Sequence, residues 1–462
     1  MASAAEEEVP AIQVLEKDRY FTQALVRLPS ALPSLLPPLS GGPSSFSSSS
    51  VRIRTEAFSL SSNNFTYAKL GTLLGWWDAH PLPASAPAPY GDAARYGRTN
   101  CWGYARVLES TSPAAPRGSY LWGYLPVGTL AQDLEVRPSE SKNDGSLVVV
   151  PGWVTVTNEY RQHLMPIYNQ YRVYPAEKGL EIQRKDEGVA WDVLIGVMHT
   201  TAYLMNRYVF APNPLEAVAP HPGDAPWTPE QAASLTDAIV ISFAPGSKVG
   251  LAFAHLLRNE RPAEARPRVV IGAASEHSRA FVERTGFYDE VVSSTGDDPV
   301  ATLDRVLAAH PPTSSGGSKT KVAIFDFGGR GGAAARWAEA LEPVLNKEGE
   351  RNLLLVSIGS EIQEQSAAEM LAARTQAHGA GNSSIVRVLV NADDMRTRAI
   401  AREEGGEQAF YEGLDASWAA FKARGIPGFR IRWGEGMESA VQGWDELARG
   451  EVAADEGLVF KV

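Results

Sequence analysis

One cysteine, Cys101, stands in a chain of 462 residues. That scarcity excludes an intrachain disulfide and any cluster of thiolate zinc ligands, and it fits a reducing, cytoplasmic setting. Positive charge is also short. Lys and Arg number 43 against 54 Asp and Glu, a net charge of −11. This balance argues against nucleic acid or an anionic membrane surface as a general partner, but leaves room for a local site that takes an anionic cofactor. No apolar run approaches the roughly 20 residues that span a bilayer. The first ten residues carry Glu6, Glu7 and Glu8, and lack the basic start and apolar core of a secretory or mitochondrial signal. No G-x-S-x-G elbow occurs, which sets aside a Ser–His–Asp hydrolase. What is present, 44% hydrophobic and 21% charged residues, suits a soluble globular protein of two or three domains.

The most informative stretch is Thr236 to Gly250. A β-branched run (Ile239, Val240, Ile241) stops at a small-residue turn, Ala244-Pro245-Gly246-Ser247-Lys248-Val249-Gly250, and a helical pattern follows from Leu251 to Leu257. Strand, glycine turn and helix start together make a phosphate-holding device. Free backbone N–H groups point at the anion, and the helix dipole favours negative charge there. A second strand, Arg268 to Gly272, ends at Ala273-Ala274-Ser275, at the spacing of a βαβ dinucleotide unit. An ordinary βα turn that binds nothing is the plain alternative.

Composition divides the rest. Residues 1–50 read as an added arm rich in Pro, Ser, Leu and Gly, with a serine run after Pro43. Ordered sequence is expected from Val51, and strand-and-turn character continues to about Pro151. Val189 to Phe210 reads as one helix. Strands then alternate with helices through Leu353–Ile358, which implies parallel βαβ topology. Pro312 to Lys319 reads as a flexible loop. The tail holds a helix, Met437 to Ala448, and a last strand, Leu458 to Val462.

This order resembles the medium-chain dehydrogenase/reductase superfamily, in particular its zinc-free quinone-reductase and enoyl-reductase branch. The residues that carry the likeness are Arg54 to Leu60 followed by Asn63-Asn64, His199-Thr200-Thr201-Ala202-Tyr203, Thr285 to Val291, Ala440 to Gly450 and Gly457 to Phe460. Asn63 to Tyr67, Tyr168 to Tyr171 and Ser247-Lys248 resemble more closely a bacterial and fungal family of unknown function. The superfamily's phosphate turn usually has glycine where this chain has Ala244, Ser247 and Lys248. Its zinc-dependent members need ligands that one cysteine cannot supply. The fold implied is α/β: a Rossmann doubly wound parallel sheet over 191–395 and a GroES-like β-rich domain over 51–190, completed by 396–462.

The resemblance also gives roles. Gly246, Ser247, Lys248, Val249 and Gly250 are expected to hold a diphosphate. At the second strand's end, small residues with Ser275 and Arg279 nearby suit the extra phosphate of NADP, although Glu276 leaves NAD open. Gly328 and Gly329, in the turn after Asp326, and Gly359 end strands at the cofactor edge. Asn64 and Tyr67 are placed on a loop facing the cleft. Tyr67 is the expected proton donor, and Asn64 the group orienting the nicotinamide or a carbonyl. Thr201 lies near the nicotinamide, with His199 a weaker candidate. Tyr168 and Asn169 sit in an aromatic, polar segment (Tyr160, His163, Tyr171, Arg172, Tyr174) suited to a planar or oxygenated substrate. Core packing is the plain alternative for each. The expected activity is reduction of an activated carbonyl or conjugated alkene by NADPH, on a small-molecule substrate and without zinc. A non-redox lyase or retro-aldol enzyme on the same scaffold is the alternative, and a homodimer is left open.

Overall fold

The computed structural model describes residues 9–29, 49–143, 146–220, 234–311, 320–346, 351–359 and 384–462. In chain order the first elements are β1 (Ala11–Glu16), β2 (Arg19–Arg27), β3 (Ser49–Leu60), α1 (Ser62–Lys69), α2 (Gly71–Leu74), β4 (Tyr96–Arg98), β5 (Asn100–Ser110), β6 (Tyr120–Pro126), β7 (Gln132–Asn143), β8 (Ser146–Val156), β9 (Gln170–Tyr174), α3 (Lys178–Arg184) and α4 (Glu187–Leu194). There follow α5 (Gly196–Leu204), β10 (Ile239–Phe243), α6 (Lys248–Asn259), β11 (Val269–Ala274), α7 (Glu276–Thr285), β12 (Glu290–Ser293), α8 (Pro299–Ala309), β13 (Val322–Asp326), α9 (Ala333–Leu345), β14 (Leu353–Ser357) and β15 (Val386–Leu389). The chain closes with α10 (Ala392–Arg402), α11 (Gly406–Arg424), β16 (Arg430–Glu435), α12 (Gly436–Arg449) and β17 (Glu456–Lys461). No helix among the described residues is long and apolar enough to cross a membrane.

Two units emerge. One holds the described residues up to Leu194 together with Ile431–Val462, and the other holds those between 195 and 430. In the first, an antiparallel sheet runs β16-β17-β3-β5-β6-β9-β8-β7, and β3 also pairs with β7. That extra pairing closes six strands into a barrel, which removes their edges. Its interior is filled by Ile53, Phe58, Val107, Leu121, Leu125 and Val154, with Trp444 of α12 packed on the same cluster. This is the β-rich, GroES-like half of the expected α/β class.

The second unit carries a parallel sheet in the order β12-β11-β10-β13-β14-β15. Numbered from β10, this is the 3-2-1-4-5-6 order of a Rossmann sheet. All five residues of β10 are buried, as expected for a strand covered on both faces. The helices are bounded by local chemistry. Asp298 caps α8, whose first residue is Pro299, and Gly286 ends α7 in the left-handed region at φ 65°.

Three expectations change. Residues 11–27 are not an arm but two paired strands, β1 and β2, in a small sheet with β4. β1 is buried on both faces. Ala11 and Leu15 face the barrel cluster, while Ile12 and Val14 join Val26, Leu28 and Tyr96. Residues 44–48 of the serine run and the loop 312–319 lie outside the described residues, while Ser49 and Ser50 open β3. The helix expected over 189–210 is broken at Ile195, whose ψ of −21° with φ −125° departs from the helix just before Gly196, and Met205–Val209 form a π turn. Residues 396–430 group with the parallel sheet and not with the β-rich unit; Phe421 of α11 packs on His199 of α5. Within the sheet, β14 is an inner strand, since β15 pairs outside it.

Candidate functional site

The parallel register brings four strand ends together. Phe243 stands opposite both Ala273 and Asp326, and Asp326 stands opposite Ser357. Between β10 and β13 the order of strands reverses, and the crevice outside the carboxyl ends at such a switch point is where this architecture takes ligands.

The turn after β10 is built tightly. Ala244 adopts φ 51°, a left-handed conformation that favours glycine. The Ser247 N–H donates to Ala244 O at 2.9 Å. Ser247 caps α6, its Oγ accepting from the Gly250 N–H at 3.2 Å. A Cβ on Gly250 would lie 3.0 Å from Ser247 Oγ and 3.1 Å from Ala244 O, so any larger residue would crowd the cap. The buried Tyr288 hydroxyl lies 2.9 Å from Pro245 O and 3.1 Å from Gly250 O, and donates to this turn from the far side. Nothing local in the sequence marks Tyr288, which comes from beyond α7.

Lys248 is the first residue of α6. Its ammonium lies 6.0 Å from the centre of the Phe429 ring, and it makes no hydrogen bond or ion pair with any described residue. Burial lowers its pKa to about 8. A cation on the first turn also opposes the positive end of the helix dipole. Both terms disfavour the charge unless an anion joins it. Val249 follows on the same first turn, where α-helical geometry leaves backbone N–H groups without intrahelical acceptors.

The other expected cofactor residues divide. Asp326 Oδ1 accepts from the N–H groups of Gly328 at 3.0 Å and Gly329 at 2.7 Å, which fixes the glycine loop. Gly359 donates to Asp326 O at 3.1 Å, and a Cβ there would sit 2.4 Å from Phe327 O, so the two loop ends touch. An Asx turn before two glycines is a local signal that marks Asp326 in the sequence. Ser275 stands at the N-cap of α7, yet its hydroxyl pairs with Ser278 Oγ at 3.1 Å and does not cap. Arg279 is on the surface, bound to Glu283 at 3.0 Å.

In the β-rich unit, Asn64 and Tyr67 are on helix α1, not on a loop. Ser61 and Asn64 form a capping box. Asn64 Oδ1 accepts from the Ser61 N–H at 2.7 Å, and Asn64 Nδ2 donates to Asn100 O at 2.8 Å. Its amide is thus held by the protein itself. Tyr67 is buried among Trp76, Tyr124 and Tyr168, with ring centres 4.9, 5.0 and 6.0 Å away. Its hydroxyl accepts from Trp102 Nε1 at 2.7 Å. Burial pushes the phenol up to about 12, against the hydrogen bonds from Trp102, Asn63 and Tyr168. Tyr168 is 8% exposed, and its ring centre lies 4.7 Å from that of Tyr124 at a tilt of 57°. Asn169 is bound to Arg161, whose Nε donates to its Oδ1 at 2.7 Å. The structure therefore joins Tyr67 and Tyr168 in one buried cluster, while Asn64, on the same helix as Tyr67, is tied to Ser61 and Asn100.

Thr201 lies in α5, in the other unit, and its hydroxyl turns back to Val197 O at 3.4 Å. His199 is a core histidine. It is held near Ser417 at 3.2 Å, and burial lowers its pKa to about 3.

A sequence profile for a family described as "protein of unknown function (DUF2855)" matches residues 58–453. The chain belongs to this family. No curated protein sequence matches it. Among solved structures it is similar to CurA from Vibrio vulnificus in complex with NADPH, with 14% identity, 95% of this chain and 94% of that one covered, and a TM-score of 0.46. It is also similar to a mutant form of an enoyl thioester reductase from Candida tropicalis, with 11% identity, 98% and 100% coverage and a TM-score of 0.47. A mycobacterial protein complexed with NADPH is similar at 12% identity, with 98% and 100% coverage and a TM-score of 0.48. The strand order described above carries the fold assignment by itself.

Proposed function

We propose that the protein is a zinc-independent, NADPH-dependent reductase of an activated carbonyl or conjugated alkene. The observation that carries this reading is Lys248, a half-buried cation with no hydrogen-bond or ion-pair partner among the described residues, set on the first turn of α6 at the switch point of a Rossmann sheet. An anion there meets the ammonium, the free N–H groups of the turn and the helix dipole together. A Cβ at Gly246 would make only ordinary contact, 3.4 Å from Val282, so packing does not demand glycine there. Close approach of a diphosphate does.

The choice of NADP over NAD is supported by the end of β11, where Ala274 and Ser275 stand in place of the acidic residue that takes a ribose hydroxyl. Arg279 would have to leave Glu283 to reach a phosphate, and an exposed, solvent-screened pair of this kind is readily exchanged. Bound at this site, the dinucleotide would supply hydride. The protein's own part is to seat the diphosphate on Lys248 and the α6 turn, with the Asp326 loop shaping the wall beside it. Tyr67 would hold the proton, and at about 12 its phenol stays protonated throughout the neutral range. Thr201 and Tyr168 remain candidates for contact with the nicotinamide and the substrate.

Fluorescence titration with NADPH and NADH tests this. Tighter binding of NADPH, weakened at least about tenfold by Lys248→Met, is the expected result, because a charge-assisted phosphate contact is lost. Indifference to both nucleotides at millimolar concentration would end the redox assignment. The non-redox alternative has no observation of its own in this structure.

A further inference from the structure

Five arginines among the described residues are buried: Arg52, Arg98, Arg161, Arg261 and Arg396. Four have evident partners. Arg52 lays its Nε–Nη2 edge against both oxygens of Asp133, at 2.7 and 2.8 Å. Arg161 donates to Asn169 Oδ1 and to the carbonyls of Tyr168 and Ala79. Arg261 donates to Asn206 Oδ1 and the Ala265 carbonyl. Arg396 bonds Asp393 and lies 3.6 Å from Glu407.

Arg98 has none. It ends β4, is 2% exposed, and leaves Nε and Nη2 without a hydrogen-bond acceptor. No described carboxylate pairs with it. The groups that act on it electrostatically are the Tyr160 phenol and the Cys101 thiol, both of which burial holds neutral. Burial lowers Arg98 itself to about 10. The nearby charge makes matters worse, since His80 feels both Arg98 and Arg161 as cations. Water can satisfy an N–H group, but it cannot neutralise a buried guanidinium, and buried charges in proteins are as a rule paired.

The bare atoms are informative. Nε and Nη2 form the planar fork that grips a carboxylate side-on through two parallel bonds. This protein uses that edge elsewhere, in Arg52 with Asp133 and in Arg268 with Asp237 at 3.0 and 2.8 Å. We infer that Arg98 is a binding site for the carboxylate group of a small-molecule ligand, gripped by its unpartnered Nε–Nη2 edge. The next two residues carry further buried atoms without partners, Thr99 Oγ1 and Asn100 Oδ1. Tyr160, 41% exposed, gives the site a neighbour that reaches solvent. Asn100 connects it to the aromatic cluster, through its own bond to Trp76 O at 2.9 Å and the Asn64 bond to its carbonyl. The inference does not depend on nucleotide binding, because every residue named for the site belongs to the β-rich unit.

The test is thermal unfolding of the full chain without nucleotide, in acetate, butyrate, succinate, benzoate or inorganic phosphate, each against sodium chloride at equal ionic strength. At least one carboxylate should raise the melting temperature saturably, by about 3 °C or more. Arg98→Met should abolish that rise. Arg98→Lys, which keeps the charge but not the fork, should weaken the response at least about tenfold, and it serves as the deciding variant if Arg98→Met does not fold. No carboxylate effect beyond chloride, an effect of phosphate alone, or an undiminished effect in either variant would overturn the inference. NADPH titration of the same variants should match the parent chain. Failure of that titration in every protein would count against the reductase reading and leave the carboxylate result standing.

Discussion

Replacing Lys248 with methionine should make the unliganded protein more stable, while damaging the site it occupies. A depression from 10.5 to about 8 would correspond to about 3 kcal/mol of penalty at neutral pH for a fully desolvated ammonium, and to about half of that once solvent screening of a half-buried chain is allowed for. The sign follows from proton binding. Below pH 8 the native and unfolded chains are both protonated, and the penalty is full and constant. Between about 8 and 10.5 the unfolded chain keeps a proton that the native chain has lost, so stability rises with pH. Above 10.5 the penalty is gone. Lys248→Met should therefore melt about 3–6 °C higher at pH 7, converge with the parent in alkali, and lack the rise between. Urea unfolding across that pH range measures this directly. NADPH binding near pH 8 should take up a proton in the parent, visible as a dependence of the binding enthalpy on the buffer, and should not in the variant. A variant that is less stable at pH 7, with a pH profile parallel to the parent's, would refute the reasoning.

Tyr288→Phe removes the hydroxyl that holds Pro245 and Gly250. A loss of about 1–2 kcal/mol in denaturant unfolding, with weaker NADPH binding, is expected; unchanged affinity would show that the turn needs no such prop. Asn64→Ala deletes both the capping-box bond and the bond to Asn100. It should cost about 2–3 kcal/mol, and a negligible change in stability would return Asn64 to a purely ligand-facing role. Tyr67→Phe strands the buried Trp102 Nε1, at about 1–3 kcal/mol. If Tyr67 donates the proton, kcat falls while NADPH affinity holds, and the parent's kcat shows no descending limb from this phenol short of about 12. A fall in nucleotide affinity of the same size as the fall in kcat would point to disruption instead.

The strand, turn and helix from Ile239 to Asn259 were legible because each signal is local. Buried β-branched residues, a small-residue turn, a serine cap and a helical period all lie within about twenty neighbours. The same holds for the βαβ alternation that implied a parallel sheet. The strands β1 and β2 were not read, since a flanking serine-rich stretch coloured the whole N-terminal region and both faces of β1 are buried, which erases the alternation. Asn64 and Tyr67 were misplaced on a loop because Ser62–Lys69 has little intrinsic helical bias. Its helix is secured by the Ser61–Asn64 box and by Asn100, 36 residues away.

The sequence by itself determined the α/β class, the phosphate turn, the absence of a thiolate metal set and the presence of Lys248 on the first turn of α6. Only the tertiary structure decided which of these polar groups are already engaged. Asn64 and Arg279 have polar partners, whereas the Lys248 ammonium and the Arg98 Nε–Nη2 edge find no hydrogen-bond acceptor among the described residues. Periodicity is a property of neighbours along the chain, but whether a buried donor finds its acceptor depends on segments that folding brings together from far apart.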